Sequence, residues 1–233
     1  MVDESGLDGL DPYDLMDSEC ERLTGWFDTL DAAGWDVPSH CEGWSRRDLL
    51  AHLVAVEEYF EACLSGTVAD LMKRYTDAGA GSIDDFNAAG VAASADTDPA
   101  ELLAGWVAHN ARNRAGFRAA DGGDIDTSVG GYPGRLQSFH VVHEYATHAN
   151  DVDAPVGADE YDERQAYLAA ISRFALTELK KDLSISDVDG GFIVANGDMS
   201  VTLDRDEFVL GVSGRFPEGT FEPEIAALLD LGY

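Results

Sequence analysis

Lysine and cysteine are scarce in this 233-residue chain, and a long apolar run is missing altogether. The three cysteines, Cys20, Cys41 and Cys63, are odd in number and form no Cys-x-x-Cys pair, which argues against a disulfide framework and a cysteine zinc cluster. No stretch approaches the roughly 18 consecutive apolar residues of a membrane-spanning helix. The start, MVDESGLDGLDPYD, lacks both the basic residues and the apolar run of a secretory signal. A soluble, cytoplasmic protein is therefore expected. Lysine occurs only as Lys73, Lys180 and Lys181, and 45 acidic residues face 15 Lys and Arg, a formal net charge of −30. Such a field repels phosphate backbones and anionic lipid, so neither nucleic acid nor membrane is expected as a partner. Self-repulsion of this size weakens in salt, so unfolding temperature should climb from low to molar ionic strength; a flat response contradicts that reading.

What is present is enough apolar content, 45%, for a proper core. Asp11 followed by Pro12 reads as a helix start, and Met16, Cys20, Leu23, Phe27 and Leu30 recur at steps of three and four, with Gly34 as the stop. Ser45 with Asp48 three residues later is a capping signature for a second helix through Leu49, Leu53, Val56, Phe60 and Cys63, up to Gly66, with Trp44 placed to pack on Leu49. Residues 66–97 show weak periodicity and read as a long connection with one short helix. Asp98, Pro99 and Glu101 open a third long helix through Leu102, Trp106 and Phe117; a fourth starts between Pro133 and Leu136 and ends by Pro155 and Gly157. Four helices with one long crossover predict a four-helix bundle over residues 1–157. Residues 158–233 predict a small α/β domain: a helix near 160–183, strands at 192–195 and 199–203 turning at Asn196 and Gly197, and a last helix from Pro223. For 204–213 the periodicity allows either a helix closed by Gly214 or a strand. The fold class is thus α+β.

Chemistry concentrates on the fourth helix, where His140, Glu144 and His148 stand four residues apart on one face. Glu144 and His148 can share an ion, and His52, one turn into the second helix, supplies a third donor. Two imidazoles and a carboxylate with an open position form the donor set of catalytic zinc. Single histidines on apolar faces are more often packed core residues, and His140 and His143 are read as outer-sphere or surface groups. Asp151, three residues after His148, is placed to accept the other imidazole proton or to stand as a solvated helix-end acid.

Three stretches together resemble the mycothiol-dependent maleylpyruvate isomerase family, within the DinB-like metal-binding superfamily. They are Val37 to Leu53 (VPSHCEGWSRRDLLAHL), His143 to Asp151 (HEYATHAND) with Gly157 beyond it, and Asp206 to Arg215 (DEFVLGVSGR). The resemblance implies a DinB-like four-helix bundle holding a divalent metal, zinc the first candidate, through His52, Glu144 and His148. It also implies a smaller C-terminal domain contributing Arg215 to the same cleft, and mycothiol or another low-molecular-weight thiol as cofactor. The tail FPEGTFEPEIAALLDLGY departs from the Arg-rich continuation of relatives.

The function so implied is isomerisation or S-transfer on a small electrophilic metabolite, with metal lowering the pKa of the thiol nucleophile. Arg215 is the expected carboxylate clamp, or else an arginine that merely follows a glycine helix stop. Two rivals use the same residues: a metallohydrolase that activates water, and a DinB-like module that binds metal without turnover. The expected partners are a small-molecule substrate and a thiol, with the chain either monomeric or homodimeric.

Overall fold

The computed structural model describes residues 2–180, 182–216 and 219–231. The chain divides into two compact units, Asp11–Pro155 and a second made of Met1–Leu10 with Val156–Tyr233. The first ten residues thus group with the C-terminal part rather than with the helices that follow them. Their hydropathy gives no sign of this, because the link is made by a few contacts at long range: the Asp3 backbone N–H donates to Thr177 Oγ1 at 2.9 Å, and the Asp3 carboxylate meets Arg173 at 2.7 Å.

Four long helices build the larger unit: α1 (Pro12–Asp28), α3 (Arg46–Ser65), α6 (Pro99–Ala119) and α7 (Gly134–Asp151). Their starts follow the chain's own chemistry. Asp11 Oδ1 accepts from the Tyr13 and Asp14 N–H groups ahead of Pro12; Ser45 and Asp48 close a reciprocal capping box; Asp98 caps Ala100 ahead of α6. Met16, Leu23, Phe27, Leu49, Leu53, Trp106 and Phe139 are essentially inaccessible, each worth about 1.5–3 kcal/mol of burial. Edge-to-face contacts connect Phe27 to Trp106, Trp106 to Tyr145, Tyr145 to Phe60 and Phe60 to Phe117, so an aromatic chain crosses the core.

Several elements differ from the sequence expectation. The first helix ends at Asp28, capped by Thr29, and a separate one-turn helix α2 (Ala32–Trp35) starts from Asp31, so Gly34 lies within it rather than ending α1. Residues 66–97 hold two helices, α4 (Val68–Asp77) and α5 (Ile83–Ala93), not one. Each buries only two residues, Val68 and Leu71 or Phe86 and Gly90, which is too few to produce a visible period. The break before α7 contains a hairpin, β1 (Asp124–Thr127) and β2 (Gly130–Pro133), too short for an alternating pattern. Gly66, at φ 70°, ends α3 as expected.

In the second unit, α8 (Tyr161–Leu179) precedes an antiparallel sheet of order β3-β4-β5, with strands Ser184–Val188, Gly191–Asn196 and Met199–Asp204. Strand β3 was not anticipated: Ser184–Val188 leaves all five residues at least partly exposed. Helix α8 was expected to run to about residue 183, and stops at Leu179; Lys181, within that expectation, lies outside the described residues. The open question over 204–213 resolves as a helix, α9 (Arg205–Val212), because Asp204 and Glu207 form a second capping box. The Phe208 ring packs against Phe192 of the sheet, centroids 4.5 Å apart and tilted by 39°, and α10 (Pro223–Leu229) follows. Among the described residues no helix is long and apolar enough to cross a membrane.

Candidate metal centre

The capping box at Ser45 fixes where α3 begins, and so puts His52 on the inward face about two turns along rather than the one turn expected. Glu144 and His148, one turn apart on α7, meet it there. His52 Nε2 lies 3.0 Å from Glu144 Oε1, and His148 Nε2 lies 3.2 Å from the same oxygen. The two imidazoles stand edge to face with centroids 4.8 Å apart, and the Trp44 ring lies 5.1 Å from that of His52. Both histidines are buried, while Glu144 is partly exposed.

Asp151, itself 1% exposed, takes the far side of His148: Nδ1 lies 2.9 Å from Asp151 Oδ2. A proton held there leaves Nε2 facing the cluster centre. The Cys41 thiol donates to the same Oδ2 at 3.1 Å. His52 is treated differently, since its Nδ1 is buried and has no hydrogen-bond partner among the described residues.

Electrostatics separates the two rings. Burial opposes a charge on His148, but the Glu144 carboxylate and hydrogen bonds with Asp151, Cys41 and Glu144 outweigh it and hold this imidazole well above its ordinary value. For His52 burial is the largest effect and holds it below 6.5 despite Glu144. Burial would raise Glu144, yet the neighbouring His148 and His52 keep it well below the usual carboxylate range. The surroundings thus favour charge on the Glu144 carboxylate and on His148, and disfavour it on His52.

Donor chemistry and spacing suit a divalent cation. Tetrahedral zinc with bonds of about 2.0–2.1 Å sets its donors roughly 3.3 Å apart, close to the 3.0 and 3.2 Å found here. A second group whose atoms converge is Cys41, His148 and Asp151. Its short contacts are accounted for by S–H and N–H donation to one carboxylate oxygen.

His140 and His143 take no part in either group. His140 faces Tyr132 Oη at 3.4 Å; His143 is buried in the bundle, not at the surface. Arg215 belongs to the C-terminal unit, where it is partly buried. Its backbone completes the end of α9: Gly214 sits at φ 69°, Gly214 N–H donates to Gly211 O, and Arg215 N–H donates to Leu210 O at 2.8 Å. Its guanidinium donates from Nη1 to Ser213 O at 3.0 Å. Cys20 and Cys63 are the two deeply buried thiols, both pushed up to about 11 by burial.

Residues 16–153 match the family model described as the mycothiol maleylpyruvate isomerase N-terminal domain. The chain belongs to this family. The matched span contains all three donors and runs through most of the bundle. Among solved structures, the chain is similar to that of a mycothiol-dependent maleylpyruvate isomerase, at 17% identity and a TM-score of 0.63 over 89% of this chain and 90% of the other. A crystal structure of a histidine-to-alanine mutant of such an isomerase aligns with a TM-score of 0.51 and 18% identity over 72% of this chain and 68% of the other. Comparison with curated proteins gives no match. These likenesses establish the α+β fold, mostly helical with small antiparallel sheets.

Proposed function

We propose that this chain is a metal-dependent enzyme that uses mycothiol, or another low-molecular-weight thiol, to isomerise a small electrophile in the manner of a maleylpyruvate isomerase, or to transfer the thiol to it. One observation supports this above the rest: within the family domain, two imidazole nitrogens and one carboxylate oxygen lie within 4.8 Å of one another. His52, Glu144 and His148 would hold the ion, with zinc the first candidate. Bound there, a divalent cation supplies the positive charge that keeps a nearby thiol deprotonated at neutral pH.

The rest falls to the chain and the reactants. Asp151 holds the Nδ1 proton of His148 and keeps its other nitrogen turned to the centre. In isomerisation the thiolate adds to the double bond of an unsaturated diacid; rotation about the new single bond and departure of the same thiolate return the thiol unchanged. In transfer it displaces a leaving group and stays attached. Arg215 is assigned the binding of a substrate carboxylate through paired N–H donors.

The test is an assay of maleylpyruvate isomerisation by the zinc-loaded protein with and without mycothiol. Turnover that requires both metal and thiol, and that falls at least about 100-fold in Arg215→Ala with the metal retained, is the expected result. Turnover of an ester or amide without thiol would replace this reading with a metallohydrolase; retained metal with no turnover of either kind would leave a binding module.

A further inference from the structure

The segment before α3 is more ordered than a connection needs to be. Residues 37–46 fold back on themselves: Ser39 N–H donates to Trp44 O and Arg46 N–H to Val37 O, both at 2.9 Å, and Pro38 pairs with Ser45. Inside this closed loop Ser39 Oγ donates to Trp44 O at 2.9 Å and accepts from the Cys41 N–H at 3.2 Å, while Gly43 at φ 78° lets the chain reverse. The loop is tied to the end of α7 at successive points. His40 N–H donates to Asp151 O at 2.9 Å, the His40 ring meets Asp153 Oδ1 at 2.9 Å, and Arg46 reaches Asp153 at 3.6 Å. Between these ties the Cys41 thiol reaches Asp151 Oδ2, the oxygen on which His148 Nδ1 also rests.

We infer that Cys41 is a positioning residue for the metal centre: its thiol, held by the closed loop, fixes the Asp151 carboxylate and through it the orientation of the His148 ring. This rests on the proposed metal site. A donor on the carboxylate oxygen that also meets His148, carried by a loop closed on itself and tied to the end of α7, restrains rotation of that carboxylate about its last bond. Among the described residues His52 has no such support at Nδ1. The geometry of the centre therefore depends on the His148 side being held firmly.

The experiment is a cobalt(II) titration of the metal-free wild-type, Cys41→Ala and Cys41→Ser proteins. It reads the dissociation constant and the visible d–d absorption of the bound ion, with thermal unfolding of each metal-free protein as control. Expected for Cys41→Ala is a roughly 10- to 100-fold weaker dissociation constant and an altered d–d band, while Cys41→Ser, which keeps a donor, returns most of both. Should Cys41→Ala also lower the metal-free unfolding temperature, Cys41→Val fills the space without a donor and must show the same loss of affinity. Wild-type affinity and spectrum in Cys41→Ala or Cys41→Val would overturn the inference while leaving the metal site standing. Absence of cobalt binding by the wild type would overturn the site itself and the inference with it.

Discussion

Two buried polar clusters lie in the same bundle and share helices α3 and α7, the second drawing also on α6 and α1, yet they differ in how their hydrogen bonds close. Glu144 and Tyr145 are neighbours on α7 and, about 100° apart around the helix, point into different clusters. On the Tyr145 side the accounting is complete. Glu57 of α3, fully buried, accepts from Tyr145 Oη at 2.6 Å, Asn110 Nδ2 at 2.9 Å and Asn113 Nδ2 at 2.7 Å. Asn110 Oδ1 in turn accepts from the Cys20 thiol at 2.8 Å and Arg114 Nε at 2.6 Å. On the Glu144 side one carboxylate oxygen is shared between two imidazoles, and His52 Nδ1 has no partner among the described residues. A closed network holds helices in register; an incompletely matched one, at metal-donor spacing, is suited to an added ion.

The comparison is most exposed to removal of each carboxylate in metal-free protein. Glu57→Ala removes the acceptor of Tyr145 Oη and one of the two acceptors of each of Asn110 Nδ2 and Asn113 Nδ2, and should cost on the order of 3 kcal/mol or more in urea unfolding, whereas Glu144→Ala should cost less than half of that. Equal losses would erase the distinction between the clusters. Next in size is the gain from metal: zinc at 100 times its dissociation constant should stabilise the wild type by about 2.7 kcal/mol. That gain should vanish in Glu144→Ala and His52→Ala and survive in Glu57→Gln.

A pH series sharpens the contrast further. Burial raises the Glu57 carboxyl above its ordinary 4.5, only partly offset by hydrogen bonds from Tyr145, Asn113 and Asn110. Between 4.5 and the raised folded value the native state binds more protons than the unfolded one, so this group's contribution falls as pH rises through that window. The stability of wild type minus Glu57→Gln should therefore be flat below about 4.5 and decline above it; a difference that rises with pH would reverse the assignment. The smallest effect is expected on the outer side of α3, where a Cβ added at Gly90 of α5 would lie 2.4 Å from Ala55 Cβ. Gly90→Ala should cost on the order of 1 kcal/mol in thermal unfolding with zinc affinity unchanged, since it displaces α5 rather than either cluster.

Sequence carried the candidate site further than it carried the fold around it. The convergence of His52, Glu144 and His148 was legible because two lie one turn apart on a single helix and the third follows a capping box that fixes its phase. Asp151 was legible for the same local reason. Cys41 was not, because its partner is 110 residues away and no period connects a loop to a helix end. The Glu57 network escaped likewise: the bonds to its carboxylate span 53 to 88 residues, and a local trace is Asn110 and Asn113 on the inner face of α6. Helices α4 and α5 and the four-residue strands of the hairpin bury too little to mark the chain.

The central claim, one divalent ion held by His52, Glu144 and His148, is tested most directly by elemental analysis of the purified protein after zinc reconstitution, with Glu144→Ala and Glu57→Gln in parallel. The account predicts about one metal per wild-type chain, the same in Glu57→Gln, and none in Glu144→Ala. A wild type that retains no metal, or a Glu144→Ala protein that retains as much as the wild type, would contradict it.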